Sequence, residues 1–371
     1  MPPVASLTDT RLPVTLLTGF LGAGKTTLLN AILRESTGPK IAVIVNEFGE
    51  AGLDHDLIEA VDEEIILMQS GCLCCSVRGD LARTISDLID RRDAGDILFD
   101  RVIIETTGLA DPGPILQTLL VDPYLATNVR MDGVVTVADA ATGQDTLDRQ
   151  FEAVSQIAMA DLLVLSKTDL VPPTATATFE SRLTALNPTA RILHAHQGEV
   201  PAGALWALNG LRKAATSEQT LGWLSPREPA PKVDLFANLS GLAPTPITTD
   251  ATLSPHDTRI GSASIVLDDP IPDAVFDLWL DTLIALRGPD IMRVKGIVFL
   301  EDIETPFVFH GVQHVFDPPV PLQNWPGGDR RSRVVVIARD MTRPELVRSL
   351  DMLRGHLPQN PDTAQSEEPV Q

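Results

Sequence analysis

The chain has 371 residues, 44% of them hydrophobic, enough for a large core and more than one compact unit. Its 50 acidic against 29 basic side chains leave a formal net charge of -21, which argues against a nucleic-acid partner and against an anionic membrane surface. The N-terminal "MPPVASLTDTRLP" lacks a basic-then-apolar leader pattern and no apolar run is long enough to span a bilayer, so the expected location is the cytoplasm.

In chain order, short β-branched runs alternate with helical patterns. The predicted strands are Leu12–Leu17, Ile41–Asn46, Glu64–Met68, Arg101–Ile104, Gly133–Val137, Leu162–Leu165 and Ala190–Leu193. The predicted helices are Lys25–Glu35, Gly79–Arg92, Pro114–Leu120, Thr146–Met159 and Ala177–Leu186. This alternation predicts an α/β fold, a doubly wound and mostly parallel sheet covered on both faces.

The expected organisation is an N-terminal extension over 1–11, a nucleotide domain over 12–216 and a Pro/Ser/Thr-rich linker over 217–258. A smaller α+β domain is expected over 259–358, with a disordered tail over 359–371. In the second domain "GSASIVLDD", "DIMRVKGIVFLED", "TPFVFHGVQHVFD" and "SRVVVIARD" read as strands, and Asp273–Leu286 and Pro344–Leu353 as helices.

Gly19-Phe20-Leu21-Gly22-Ala23-Gly24-Lys25-Thr26 fits G-x-x-x-x-G-K-[ST], between a strand and a helix as a phosphate loop requires. Its backbone N–H groups and the helix N-terminus face the β-phosphate. Lys25 bridges the β- and γ-phosphates, the Thr26 hydroxyl ligates Mg²⁺, and Thr27 is placed for the α-phosphate. Ser166-Lys167-Thr168-Asp169 follows a late strand. There Asp169 accepts from both N1–H and the amine of guanine, and the Lys167 stem lies along the ring, so GTP is favoured over ATP. Ser166 stands where the usual GTPase form has Asn. Glu105 ends a strand as the expected Mg²⁺ partner, and Gly108 brings an N–H to the γ-phosphate, a contact that hydrolysis abolishes.

The only three cysteines, Cys72, Cys74 and Cys75, lie within "GCLCCS". Three thiolates on one short stretch suit Zn²⁺ or another thiophilic divalent ion and leave one tetrahedral position open for hand-over. Cys72 and Cys75 also make a C-x-x-C, so a redox switch stays an alternative, as does a structural metal. Glu47 and Glu50, in "NEFGEAGLD" after the second strand, are candidates to respond to the γ-phosphate or to complete the metal site. His55 is another candidate ligand. His194 and His196 sit near a base-contacting loop, and His310 and His314 are expected on one face of a single strand. Trp279 and Trp325 are expected to pack the second domain.

In "GFLGAGKTT", "NEFGEAGLD", "GCLCC", "ETTGLADP" and "SKTD", in that order, the chain resembles the CobW-type members of the CobW/HypB/UreG group of metallochaperone GTPases. The second domain is similar to that family's C-terminal domain through "RVKGIVFL", "FHGVQHVF" and the segment from Trp325 to Ile337. The resemblance implies a SIMIBI-type P-loop fold, slow GTP hydrolysis with Mg²⁺, zinc or cobalt at the cysteine motif, and delivery of that metal to a client protein. Catalytic roles would fall on Lys25, Thr26, Glu105 and Glu47. The histidine-rich stretch of many relatives is absent, since His256 alone marks that region. The competing function is a P-loop kinase or ATPase with an incidental zinc. The client and any self-association are left open.

Overall fold

A computed structural model describes residues 10–34, 40–45, 66–69, 77–196, 199–206, 208, 224, 259–316, 319–322, 325 and 329–355. The linker expected over 217–258 (all but Leu224), His256 and the tail lie outside these residues.

The first half forms a seven-stranded sheet of β1 (Leu12–Gly19), β2 (Ile41–Val45), β3 (Ile66–Gln69), β4 (Arg101–Glu105), β5 (Val129–Asp139), β6 (Leu162–Ser166) and β7 (Arg191–His194). Their order is β3-β2-β4-β1-β5-β6-β7 and every pairing is parallel. Parallel strands need crossovers, and the helices that supply them cover both faces, which is why β1, β4 and β6 are buried almost throughout. On one face α1 (Lys25–Arg34) buries Leu28, Leu29 and Ile32 against Leu17, Val43 and Val137. On the other lie α2 (Val77–Asp93), α3 (Gly113–Val121), α4 (Pro123–Asn128), α5 (Gly143–Arg149), α6 (Phe151–Met159) and α7 (Pro173–Leu186).

Three details differ from the sequence expectation. The helix expected over Thr146–Met159 is two helices, because Gln150 takes an extended conformation (φ -128°, ψ 109°) that ends α5 and starts α6 in a new direction. Helix α4 was not expected, although Asp122 caps it by accepting from the N–H groups of Tyr124 and Leu125 and Pro123 opens its first turn. Strand β5 runs well beyond Gly133–Val137 in both directions and passes through a register shift opposite Val14 and Thr15.

The second sheet is antiparallel: β8 (Ile260–Leu267), β9 (Ile291–Val298), β10 (Phe307–Val312), β11 (Val315–Phe316), β12 (Val320–Pro321) and β13 (Ser332–Arg339), in the order β11-β10-β9-β13-β8 with β12 beside β10. One face packs on α8 (Asp273–Arg287) and α9 (Arg343–Asp351) around Phe276, Trp279 and Phe309, whose rings meet tilted or edge to face. Trp325 packs edge to face on Phe299. His310 and His314 do not share a strand face: His310 is buried on β10, whereas His314 lies in the turn that carries the chain into β11, after Gln313 at φ 56°.

Strand β9 is buried along its whole length, because its second face meets the first domain. Met292, Val312 and Ile337 join the core of α3 and α6. Beside them Asp161, at the start of β6, receives Arg293 Nη2 at 2.8 and 2.9 Å and Lys295 Nζ at 2.7 Å. Gln117 of α3 hydrogen-bonds Gln313. Burial pushes the Asp161 carboxyl upward, but the two cations and the Val134 N–H outweigh it and hold the group well below the usual carboxylate range.

Candidate functional site

The carboxyl ends of the parallel strands gather on one rim, where open α/β sheets bind ligands. The loop Gly19–Gly24 leaves β1 at its centre. Gly19 sits at φ +139° with a Cβ position 2.4 Å from the Val137 carbonyl oxygen, so only glycine lets the loop turn there. Lys25 Nζ donates to the carbonyls of Gly19 at 2.9 Å and Phe20 at 3.2 Å, which aims the ammonium along the inside of the loop. Thr27 is exposed on the first turn of α1, while Ala23 is buried beneath the loop.

Thr26 Oγ1 donates to Glu105 Oε1 at 3.1 Å. Glu105 ends β4, paired to Leu17 of β1 on one side and Val45 of β2 on the other, and is buried. A buried carboxylate touching the loop hydroxyl is a hard-oxygen donor set that fits Mg²⁺. Next, Thr106 fastens the chain to β1 through its N–H to Leu17 O at 3.0 Å and its hydroxyl to Thr18 Oγ1 at 2.8 Å. The turn then brings Gly108 against the phosphate loop: a Cβ there would lie 2.4 Å from Leu21 N. No side chain fits, and the Gly108 backbone is thereby held beside the loop.

The segment 166–169 meets the same loop from β6. Ser166 Oγ bonds Ala23 O at 2.7 Å, and Lys167 Nζ bonds Gly22 O at 2.7 Å and Asp139 Oδ2 at 2.7 Å. Lys167 takes a left-handed backbone (φ 56°), a conformation unfavourable for a residue with a Cβ and fixed here by those two contacts. Ser166 therefore performs the loop-tying task with one hydroxyl, and Asp169 stays exposed on the short turn Thr168–Leu170.

Two residues of this site escaped the sequence reading. Asp139 ends β5 and holds Lys167; burial raises its carboxyl, but Lys167, the Ala141 N–H and the Thr142 hydroxyl together bring it below the ordinary range. Its signal was an acid at the end of an apolar strand. Gln156, buried on α6, donates to the carbonyls of Gly108 at 3.1 Å and Ala110 at 3.0 Å. Its signal was a lone carboxamide inside "AVSQIAMA".

Cys72, Cys74, Cys75, Glu47, Glu50 and His55 lie outside the described residues. Gln69, three positions before Cys72, ends β3 on the same rim, three strands from β1, a lateral separation of roughly 14 Å at ~4.8 Å per strand. His194, at the end of β7, pairs with Glu180 of α7, and His196 bridges to Glu199. Among the described residues no group of three or more His, Cys, Asp and Glu is placed to hold a metal, and no helix is long and apolar enough to cross a membrane.

A parallel sheet with a lysine-bearing phosphate loop, an acid beside the loop threonine and an S-K-T-D turn tied to that loop defines a P-loop nucleotide-binding protein. Residues 13–194 match the CobW/HypB/UreG nucleotide-binding domain, and residues 260–354 match the cobalamin synthesis protein CobW C-terminal domain. The chain is 32% identical over 334 residues to the zinc chaperone YjiA of Escherichia coli, covering 90% of this chain and 95% of that one. It is 32% identical over 353 residues to the zinc-regulated GTPase metalloprotein activator 1 of Schizosaccharomyces pombe, covering 89% and 83%. The crystal structure of Zn(II)-bound YjiA GTPase from E. coli superposes with a TM-score of 0.69 at 28% identity, over 93% of this chain and 99% of that one. The chain belongs to the CobW/HypB/UreG family.

Proposed function

We propose that this protein is a cytoplasmic GTP-hydrolysing metallochaperone that carries zinc, or cobalt, on Cys72, Cys74 and Cys75 and passes it to a client metalloprotein under control of the nucleotide. The observation that carries this reading is the shared rim: the phosphate loop, Glu105, the Gly108 turn and the end of the strand leading to the cysteines all leave one edge of one sheet. The relatives named as zinc chaperones support zinc as the cargo.

In this reading the loop amides, Lys25 and Thr27 hold the phosphates, Lys167 and Asp169 hold guanine, and Ser166 fixes the base loop. Thr26 and Glu105 hold Mg²⁺, which when bound neutralises charge developing on the phosphate oxygens. No glutamine or arginine finger is identifiable from the sequence, so slow intrinsic hydrolysis is expected. Glu47 joins the γ-phosphate or the metal. Loss of the γ-phosphate releases the Gly108 turn and the Glu47 loop and weakens the grip on the metal.

The test is a competitive zinc titration of the reduced protein with Mg²⁺ present, run with a non-hydrolysable GTP analogue and again with GDP. The expected result is a clear difference in zinc affinity that disappears in the Cys74→Ser/Cys75→Ser variant, with the metal altering nucleotide affinity by the same factor. Coincident titrations would defeat nucleotide-controlled delivery.

A further inference from the structure

Helix α6 is an unusual place for a glutamine. All residues from Ala153 to Met159 are buried, the helix being enclosed between the first sheet and the second domain. A carboxamide in such a place must find partners, and Gln156 finds them in the turn after β4: both of its N–H donors are used on Gly108 O and Ala110 O. The residue is fixed from behind as well, since Thr136 Oγ1 of β5 donates to the Gln156 carbonyl at 3.0 Å. Just past the helix, Asp161 is clamped by Arg293 and Lys295, which ties the C-terminal end of α6 to the second domain.

Gripping Gly108 O and Ala110 O fixes the peptides that flank Leu109 and, through the Gly108 Cα, the preceding 107–108 peptide, which carries the Gly108 N–H. Those peptides carry the backbone that lies against Leu21 of the phosphate loop. We propose that Gln156 is a positioning residue of the GTPase: it holds the 108–110 turn where the Gly108 N–H meets the γ-phosphate, without itself touching the nucleotide. This rests on the assignment of Gly108 as the γ-phosphate contact. It follows that Gln156 distinguishes GTP from GDP, because GDP makes no use of that N–H. With the two donors removed, the carbonyls lose their only side-chain anchor among the described contacts and the turn is no longer pre-organised.

The experiment measures kcat and the dissociation constants of a non-hydrolysable GTP analogue and of GDP, for the full chain and for its Gln156→Met and Gly108→Ala variants. Gln156→Met, similar in volume but without donors, is expected to weaken the analogue about 10-fold and lower kcat roughly 10- to 100-fold while GDP binding stays within about 2-fold. A general loosening of the fold would weaken GDP equally, and that result overturns the proposal, as does wild-type behaviour in all three constants. Gly108→Ala, whose Cβ presses on the phosphate loop and is expected to weaken both nucleotides, separates the two assignments through the ratio of the affinities alone. If it leaves the ratio of analogue to GDP affinity unchanged, the turn is not the γ-phosphate contact. If it shifts the ratio and Gln156→Met does not, the glutamine latch alone is wrong. Should Gln156→Met fail to fold, Gln156→Asn keeps both donors one methylene short and is expected to show the same split in smaller measure, its absence counting against the latch.

Discussion

Cations are used in opposite ways at the nucleotide rim and at the seam between the two domains. At the rim, Lys25 reaches the carbonyls of Gly19 and Phe20 on the inside of a glycine-rich loop, where a phosphate can join it, and Lys167 is shared between Gly22 O and the Asp139 carboxylate. At the seam, Arg293 and Lys295 converge on the fully buried Asp161, which also accepts from the Val134 N–H. The phosphate loop is arranged for an arriving anion; the seam already contains its own. Charge at the rim should therefore govern binding with little effect on folding, and charge at the seam the reverse.

The strongest way to break this contrast is Asp161→Ala, which removes the carboxylate that two buried cations share. It is expected to cost about 3–5 kcal/mol of stability, read as a fall in the denaturant midpoint. Lys25→Ala should do the opposite: GTP hydrolysis falls roughly 10²- to 10³-fold, with the denaturant midpoint close to wild type. Acid sharpens the seam side. The Asp161 carboxyl is held below its usual range only in the folded chain, so the stability it supplies is complete above about pH 4 and drains as pH falls below it. At pH 3 the deficit is expected to be about 1 kcal/mol, and a pH series should show Asp161→Asn lacking that part of the slope. The smallest effect is expected from Asp139→Asn at the rim, a few-fold loss of nucleotide affinity measured by titration as Lys167 loses its charged partner.

The rim was legible in the sequence because its chemistry is local. A glycine spacing, a lysine and a threonine within eight positions declare the phosphate loop, and strand ends announce Glu105 and Ser166. Where distant partners carry no motif, their pairing was not declared. Asp161 and Arg293 are 132 positions apart, and Gln156 and Gly108 are 48 apart. The break at Gln150 was hidden because an apolar helical pattern runs on both sides of a single extended residue. The expected shared face for His310 and His314 failed because Gln313 in the left-handed region turns the chain, which alternation alone does not reveal.

The ties from Ser166 to Ala23 and from Lys167 to Gly22 have one more consequence. They weld the 166–169 turn to the phosphate loop, so under the proposed assignment of base and phosphate the two ends of a nucleotide meet a single body. Under that assignment, a guanine moiety held by the turn prepares the loop for phosphate, and a diphosphate held by the loop prepares the turn for guanine. Such a grip behaves as a chelate: either half of the ligand alone is held poorly, and the intact nucleotide is held far better than the sum of its parts.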